Sequence, residues 1–199
     1  MMKFSLGKSG LLLFVLLIAA SLALAACGGD DKKDEGGKAA DLKQSLESPT
    51  GVNLKYPDGW VSDEEADGSV LLASNQATLD TITDATDDAP AIAKGQSGLM
   101  ILVMPADEVL GGMDLKEVVG LMASGGAFEA GEVKDVKIGG QDAYRTDIAD
   151  DGMDGFMVGL EKDGAVVIAL GLSAKGEMKD REATLLAIIE SASYKAPAG

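Results

Sequence analysis

Histidine is absent from the 199 residues, and cysteine occurs once, at Cys27. Without histidine the commonest general base at neutral pH is missing. So are the Ser-His and Cys-His nucleophile pairs and the usual nitrogen ligand of zinc and copper. A single thiol closes no internal disulfide, and neither a C-x-x-C nor an H-E-x-x-H arrangement exists. Aromatics are sparse, with one Trp, three Tyr and four Phe, which leaves little for stacking bases or sugars. Positive charge is scarce too: 17 Lys and Arg stand against 33 Asp and Glu, a net charge of −16. Such a field repels nucleic acid and anionic head groups and favours cationic partners, divalent ions included.

What is present begins at the amino end. Lys3 and Lys8 precede an uncharged run from Ser9 to Gly29, almost wholly apolar between Leu11 and Ala26. A short basic region, a hydrophobic region and then small residues form a secretory signal. Leu24-Ala25-Ala26-Cys27 resembles the bacterial lipobox, which implies cleavage before Cys27, a diacylglyceryl group on its sulfur and acylation of the new amine. Two or three acyl chains hold a protein stably at a bilayer, whereas one does so only marginally. An uncleaved spanning helix would want about 20 apolar residues, and this run is shorter and ends in Gly28-Gly29. Residues 1–26 are therefore expected to be a lipoprotein signal peptide and Cys27 the lipidation site. The two lysines leave with the signal and no acid does, so the mature chain carries −18.

Residues 27–48 read as a flexible polar linker, and 49–199 as one domain. "GGDDKKDEGGKAADLKQSLES" is charged and glycine-rich, with almost nothing to bury. "VNLKYP" alternates like a half-buried strand and ends in the Pro57-Asp58-Gly59 turn before Trp60. "SVLLAS" is a second strand. Asn75 to Ser97 has weak periodicity and many small residues, and is expected to be a long loop with one helical turn. "GLMILVMP" is an uninterrupted apolar run, the pattern of a central strand. Asp114 with Glu117 is spaced as a capping box, and Leu115, Val118, Val119 and Met122 form the buried stripe of the helix it opens. Strands follow from Val133, Gln141, Gly155 and Ala165, the last two joined by Asp163-Gly164, a strong hairpin signal. A helix from about Glu177 to Ser193 closes the chain, with Leu185, Ile188, Ile189 and Ala192 on one face. Strands, helix, strands and helix joined by tight turns demand a mostly antiparallel sheet, so the fold class is α+β.

Together "YPDGW", the central apolar strand, "VKIGGQDAYR", the DG-linked hairpin and the closing "IIESASY" resemble the PsbP-like family, over about Gly51 to Tyr194. The resemblance implies an α-β-α sandwich with helices on both faces of the sheet, and an accessory or binding role rather than a catalytic one. Some members bind manganese or calcium partly through histidine, and that site has no counterpart here. Trp60 reads as a hydrophobic plug beside the turn.

No catalytic, cofactor-binding or metal-ligating residue is assigned. Glu177 stands where a phosphate loop needs lysine, and Leu99 breaks the nucleophile elbow in "GQSGL". Asp147, Asp150, Asp151 and Asp154 crowd one short span, and Asp80, Asp84, Asp87 and Asp88 another; acidic turns explain both. Met113 and Met153 are expected in loops, and Met100, Met104 and Met122 in the core. The leading expectation is a lipid-anchored, extracytoplasmic, non-catalytic domain that binds a protein partner at the cell membrane, with no nucleic acid involved. A small-ligand or divalent-cation carrier is the alternative, and a hydrolase using carboxylates alone ranks last.

Overall fold

The computed structural model describes residues 37–66, 68–83, 91–125 and 128–194, with the side chains of 107 and 108 left aside. The signal segment and Cys27 lie outside the described residues. The elements run β1 (Leu42–Glu47), β2 (Val52–Pro57), β3 (Val61–Glu64), β4 (Val70–Ala73), α1 (Gln76–Thr83), β5 (Ser97–Pro105), α2 (Ala106–Leu110) and α3 (Leu115–Ser124). They continue with β6 (Glu129–Ala130), β7 (Lys134–Ile138), β8 (Gln141–Ala149), β9 (Met153–Lys162), β10 (Ala165–Ala174), α4 (Met178–Ser191) and β11 (Ser193–Tyr194).

An eight-stranded sheet carries the fold in the order β3-β4-β5-β10-β9-β8-β6, with β7 also paired to β8. All its pairings are antiparallel. The centre is the β9–β10 hairpin, in register from Ala165 opposite Lys162 to Ala174 opposite Met153. Its link works because Asp163 (φ 55°) and Gly164 (φ 79°) both take positive φ, as a type I′ turn requires.

Strand alternation sends neighbouring residues to opposite faces, and both faces are covered. On one, Leu72, Leu99, Ile101, Phe156, Val158 and Val167 bury against Leu185, Ile188 and Ile189 of α4 and Val52 and Leu54 of β2. On the other, Met157, Val166 and Ile168 meet Leu115, Val118, Val119 and Ala123 of α3, while Leu71 and Ala73 meet Leu79 of α1. The fold is an α-β-α sandwich around a mostly antiparallel sheet. Trp60 is partly buried against the α4-side core, a plug beside its turn.

Three expectations are corrected. The segment read as linker to residue 48 contains β1, which pairs with β2 and tucks Leu42 and Leu46 against the core. Within the same segment the Gly37 N–H donates to the Lys179 carbonyl at 3.1 Å. The supposed loop after Asn75 contains α1, a helix of 8 residues. Asn75 opens it by accepting the Thr78 N–H at 2.8 Å, and Ile82 reaches down to Gly98 on β5. Third, Met122 and Met100 are not core residues; they keep 41 % and 39 % of their surface exposed.

Candidate interaction surface

The exposed methionines mark a gap in one helical layer. On the face shared by α1 and α3, α1 lies over β3, β4 and β5, and α3 over β8 and β9. The position of α3 is fixed by Gly159 on β9, where a side chain would collide with Val119 and Leu115. Between the two helices the sheet shows Met100 of β5 paired across the strands with Leu170 of β10. Leu102, one pleat further along on the same face, is also partly exposed.

One wall of the gap comes from α3. Lys116 reaches Asp135 of β7 at 3.2 Å, and Gly120 approaches Val133, so that flank faces the β7 edge. Leu121 lies on the opposite flank, toward β10 and β5, and is 59 % exposed. Met122 follows it and keeps 41 % of its surface exposed, outside the stripe of Leu115, Val118, Val119 and Ala123 that the helix buries. Exposed Met100, Leu121 and Met122, with the partly buried Leu102 and Leu170, make up the apolar strip; Leu170 itself packs against the cores around Val118 and Ile92, and the chain carries a net charge of −16. Contiguous exposed apolar surface rimmed by polar residues marks interaction sites, and methionine makes such a surface adaptable.

The acidic residues from Asp147 to Asp154 serve a turn and local pairing, whereas Asp80 lies on α1. Asp150 Oδ1 accepts the N–H groups of Gly152 at 2.7 Å and Met153 at 2.6 Å. Asp154 accepts the Gly176 N–H at 2.6 Å, and Asp147 pairs with Arg145 and Lys134. Among the described residues no group of three or more His, Cys, Asp or Glu is placed to hold a metal ion. Asp84, Asp87 and Asp88 lie outside the described residues. Met113 is 43 % exposed in the turn before α3, whereas Met153, expected in a loop, begins β9 and packs near Ile92, Ile148 and Leu172.

Two depressions can be named among the described residues. A pocket of about 310 Å³ is lined by Asp63, Gln76, Leu79, Asp80 and Thr83, on the flank of α1 away from the strip. Both of its carboxylates are exposed, unlike the desolvated acid that protonates a leaving group in glycoside hydrolysis. A second, of about 190 Å³, lies beside β2, where Ser191 Oγ accepts from Lys55 N–H at 2.9 Å and donates to the Ile188 carbonyl at 2.7 Å. β11 pairs with β2 through Ser193 and Asn53, and the Ser191 side chain takes the next N–H of β2 beyond that pairing.

One half-buried charge is structural. Arg145 of β8 donates to Glu182 of α4 at 2.5 Å and to Asp147 at 2.8 Å, with its guanidinium 4.8 Å from the centre of the Phe156 ring. Burial works to lower its pKa, but the hydrogen bond and charge of Glu182, then those of Asp147, outweigh it and hold the group above the usual arginine value.

No family model matches the chain, and no curated protein matches it. Among solved structures it is similar to the cyanobacterial PsbP protein CyanoP from Synechocystis sp. PCC 6803, at 16 % identity and TM-score 0.48, covering 87 % of this chain and 99 % of that one. It is also similar to a protein of unknown function from Pseudomonas aeruginosa, at 15 % and 0.42 over 79 % of this chain and 98 % of that one. A variant of the protein Mog1 stands at 11 % and 0.47, over 77 % and 96 %. Each likeness is one of architecture.

Proposed function

We propose that the chain is a lipid-anchored accessory domain on the extracytoplasmic side of the cell membrane, which docks a partner protein and performs no catalysis. The observation that carries this reading is the apolar strip between α1 and α3, with Leu121 59 % exposed. The lipobox-like Leu24-Ala25-Ala26-Cys27 supplies the anchor. The absence of histidine and the use of Asp147, Asp150 and Asp154 in local pairing and turns remove support from cation and acid–base chemistry.

Two variants test it in native membranes. Leu121→Asp is expected to leave the melting temperature close to wild type, because the side chain is largely exposed, and to abolish partner capture. Cys27→Ser is expected to release the chain from the membrane fraction. Capture undiminished by Leu121→Asp, or a native mass showing an unacylated Cys27, overturns the reading.

A further inference from the structure

We infer that Met100, Met113 and Met122 are modification sites for peroxide: oxidation of their thioethers to sulfoxides turns most of the domain's exposed bulky apolar side chains polar while the fold stays intact. The inference rests on exposure and sulfur chemistry and does not depend on the docking reading above.

The make-up of the exposed surface is the first argument. Among the described residues four large hydrophobic side chains are exposed: Met100 at 39 %, Met113 at 43 %, Leu121 at 59 % and Met122 at 41 %. Three of the four are methionine, although leucine, isoleucine and valine make up most of the buried core. A surface of leucine would be inert to peroxide, whereas one of methionine is not. The chain's one cysteine is Cys27, so no thiol within the folded domain competes for the oxidant.

The three sulfurs sit where a polar oxygen can be hydrated. Met100 lies on β5, in register with Leu71 of β4 and Leu170 of β10. Met113 follows Gly111 and Gly112, both at positive φ, and its N–H closes the turn on the Leu110 carbonyl at 2.7 Å. Met122 is in the last turns of α3, outside the stripe that the helix buries. None of the three is a member of the hydrophobic clusters that hold the layers together.

Other methionines supply the contrast. Met157 is 9 % exposed and packs in the layer between the sheet and α3, while Met153 and Met178 pack against the cores around Ile148 and Leu185. A sulfoxide on Met157 would place a strongly polar oxygen in an apolar layer, which is costly without a hydrogen bond. Burial therefore separates the methionines twice, by access of the oxidant and by the consequence of the product.

The chemistry balances with peroxide as the oxidant. The sulfur lone pair attacks one peroxide oxygen, the O–O bond breaks, and the departing hydroxide takes the proton left on the transferred oxygen. Sulfoxide and water result, sulfur having lost two electrons and peroxide having gained them. A thiol-dependent methionine sulfoxide reductase reverses the step, with the oxygen leaving as water and two thiols closing to a disulfide.

The test treats the full chain, in its own membranes, with millimolar hydrogen peroxide and follows each methionine by peptide mass spectrometry. Met100, Met113 and Met122 are expected to gain one oxygen on the order of tenfold faster than Met157, and that preference should vanish in urea. The melting temperature of the triply oxidised chain should move by no more than about 3 °C. Reductase with dithiothreitol should return all three to their starting mass. A chain with Met100, Met113 and Met122 all replaced by leucine should lose the fast oxygen uptake. Equal rates at Met157 and the three exposed sites overturn the inference. So does a preference that persists in urea, which would assign it to local sequence, or loss of the folding transition once the three are oxidised. If the leucine variant does not fold, the site-resolved rates of the wild type still decide.

Discussion

Gly159 of β9 and Val119 of α3 are in such close contact that no Cβ fits between them. The helix therefore settles onto β8 and β9 and leaves Met100 of β5 exposed to one side. Replacing Gly159 with alanine forces α3 outward or Val119 off its rotamer. Overpacking of this kind costs about 1–3 kcal/mol. Gly159→Ala is expected to lower the urea midpoint with little change in slope. A wild-type midpoint would show that α3 is not held there.

The start of the same helix depends on two hydrogen bonds. Asp114 Oδ1 accepts the Glu117 N–H at 2.8 Å, and Glu117 accepts the Asp114 N–H at 3.3 Å. Asp114→Ala is expected to cost about 1 kcal/mol, and Asp114→Ser or Asp114→Asn only a few tenths. Equal losses from Ala and Asn would assign the effect to lost charge rather than to the cap.

The features legible in the sequence were the local ones. The Asp114–Glu117 box and the Asp163-Gly164 turn are set by residues three apart or adjacent, so their spacing specifies the geometry. The closing helix showed itself through Leu185, Ile188 and Ile189, all buried on one face. Helix α1 stayed hidden because it buries only Thr78 and Leu79, with Ile82 partly covered, and its threonines favour other conformations. Asn75 three residues before Thr78 was the available signal for its start. Strand β1 was lost among charges, since only Leu42 and Leu46 turn inward and Gln44 between them does not. The strip was least legible. Periodicity gives the direction in which Met122 points, but which strands α3 covers depends on its seating on Gly159, a contact between distant residues. The one clue was excess: α3 carries apolar residues at Leu121 and Met122 beyond the stripe it buries.

Arg145 joins the sheet to α4 through Glu182 while lying on Phe156. Its side chain is only 20 % exposed, so removing the partner strands a largely desolvated charge. Glu182→Gln is expected to cost about 1–3 kcal/mol. Arg145→Lys is expected to cost a similar amount, because an ammonium cannot serve two carboxylates and stack at once. The pH dependence has a definite sign. A raised pKa on a base gives stability that is complete below the unfolded-state value and lost as pH rises through the folded one. The unfolded-state value is the ordinary arginine one and the folded value lies above it, both well above pH 9, so the Arg145→Lys deficit should be the same at about pH 6 and pH 9. Urea titrations at both pH values check this, and a deficit that vanishes at either would remove the proposed balance of charges.

Asp150 separates the turn reading of the acidic loop from a cation reading. Its Oδ1 takes two N–H groups, from Gly152 and Met153, and its carbonyl accepts from Lys175. A neutral amide oxygen can accept the same two bonds, so Asp150→Asn should stay within about 0.5 kcal/mol of wild type. Asp150→Ala leaves both donors without that acceptor and should cost about 1–2 kcal/mol. A hard cation would instead need the carboxylate charge. Melting curves with and without millimolar calcium distinguish the two cases. The turn reading expects calcium to shift none of the three proteins. It fails if calcium stabilises the wild type and Asp150→Asn abolishes that gain, because only a charged oxygen used as a ligand produces both effects.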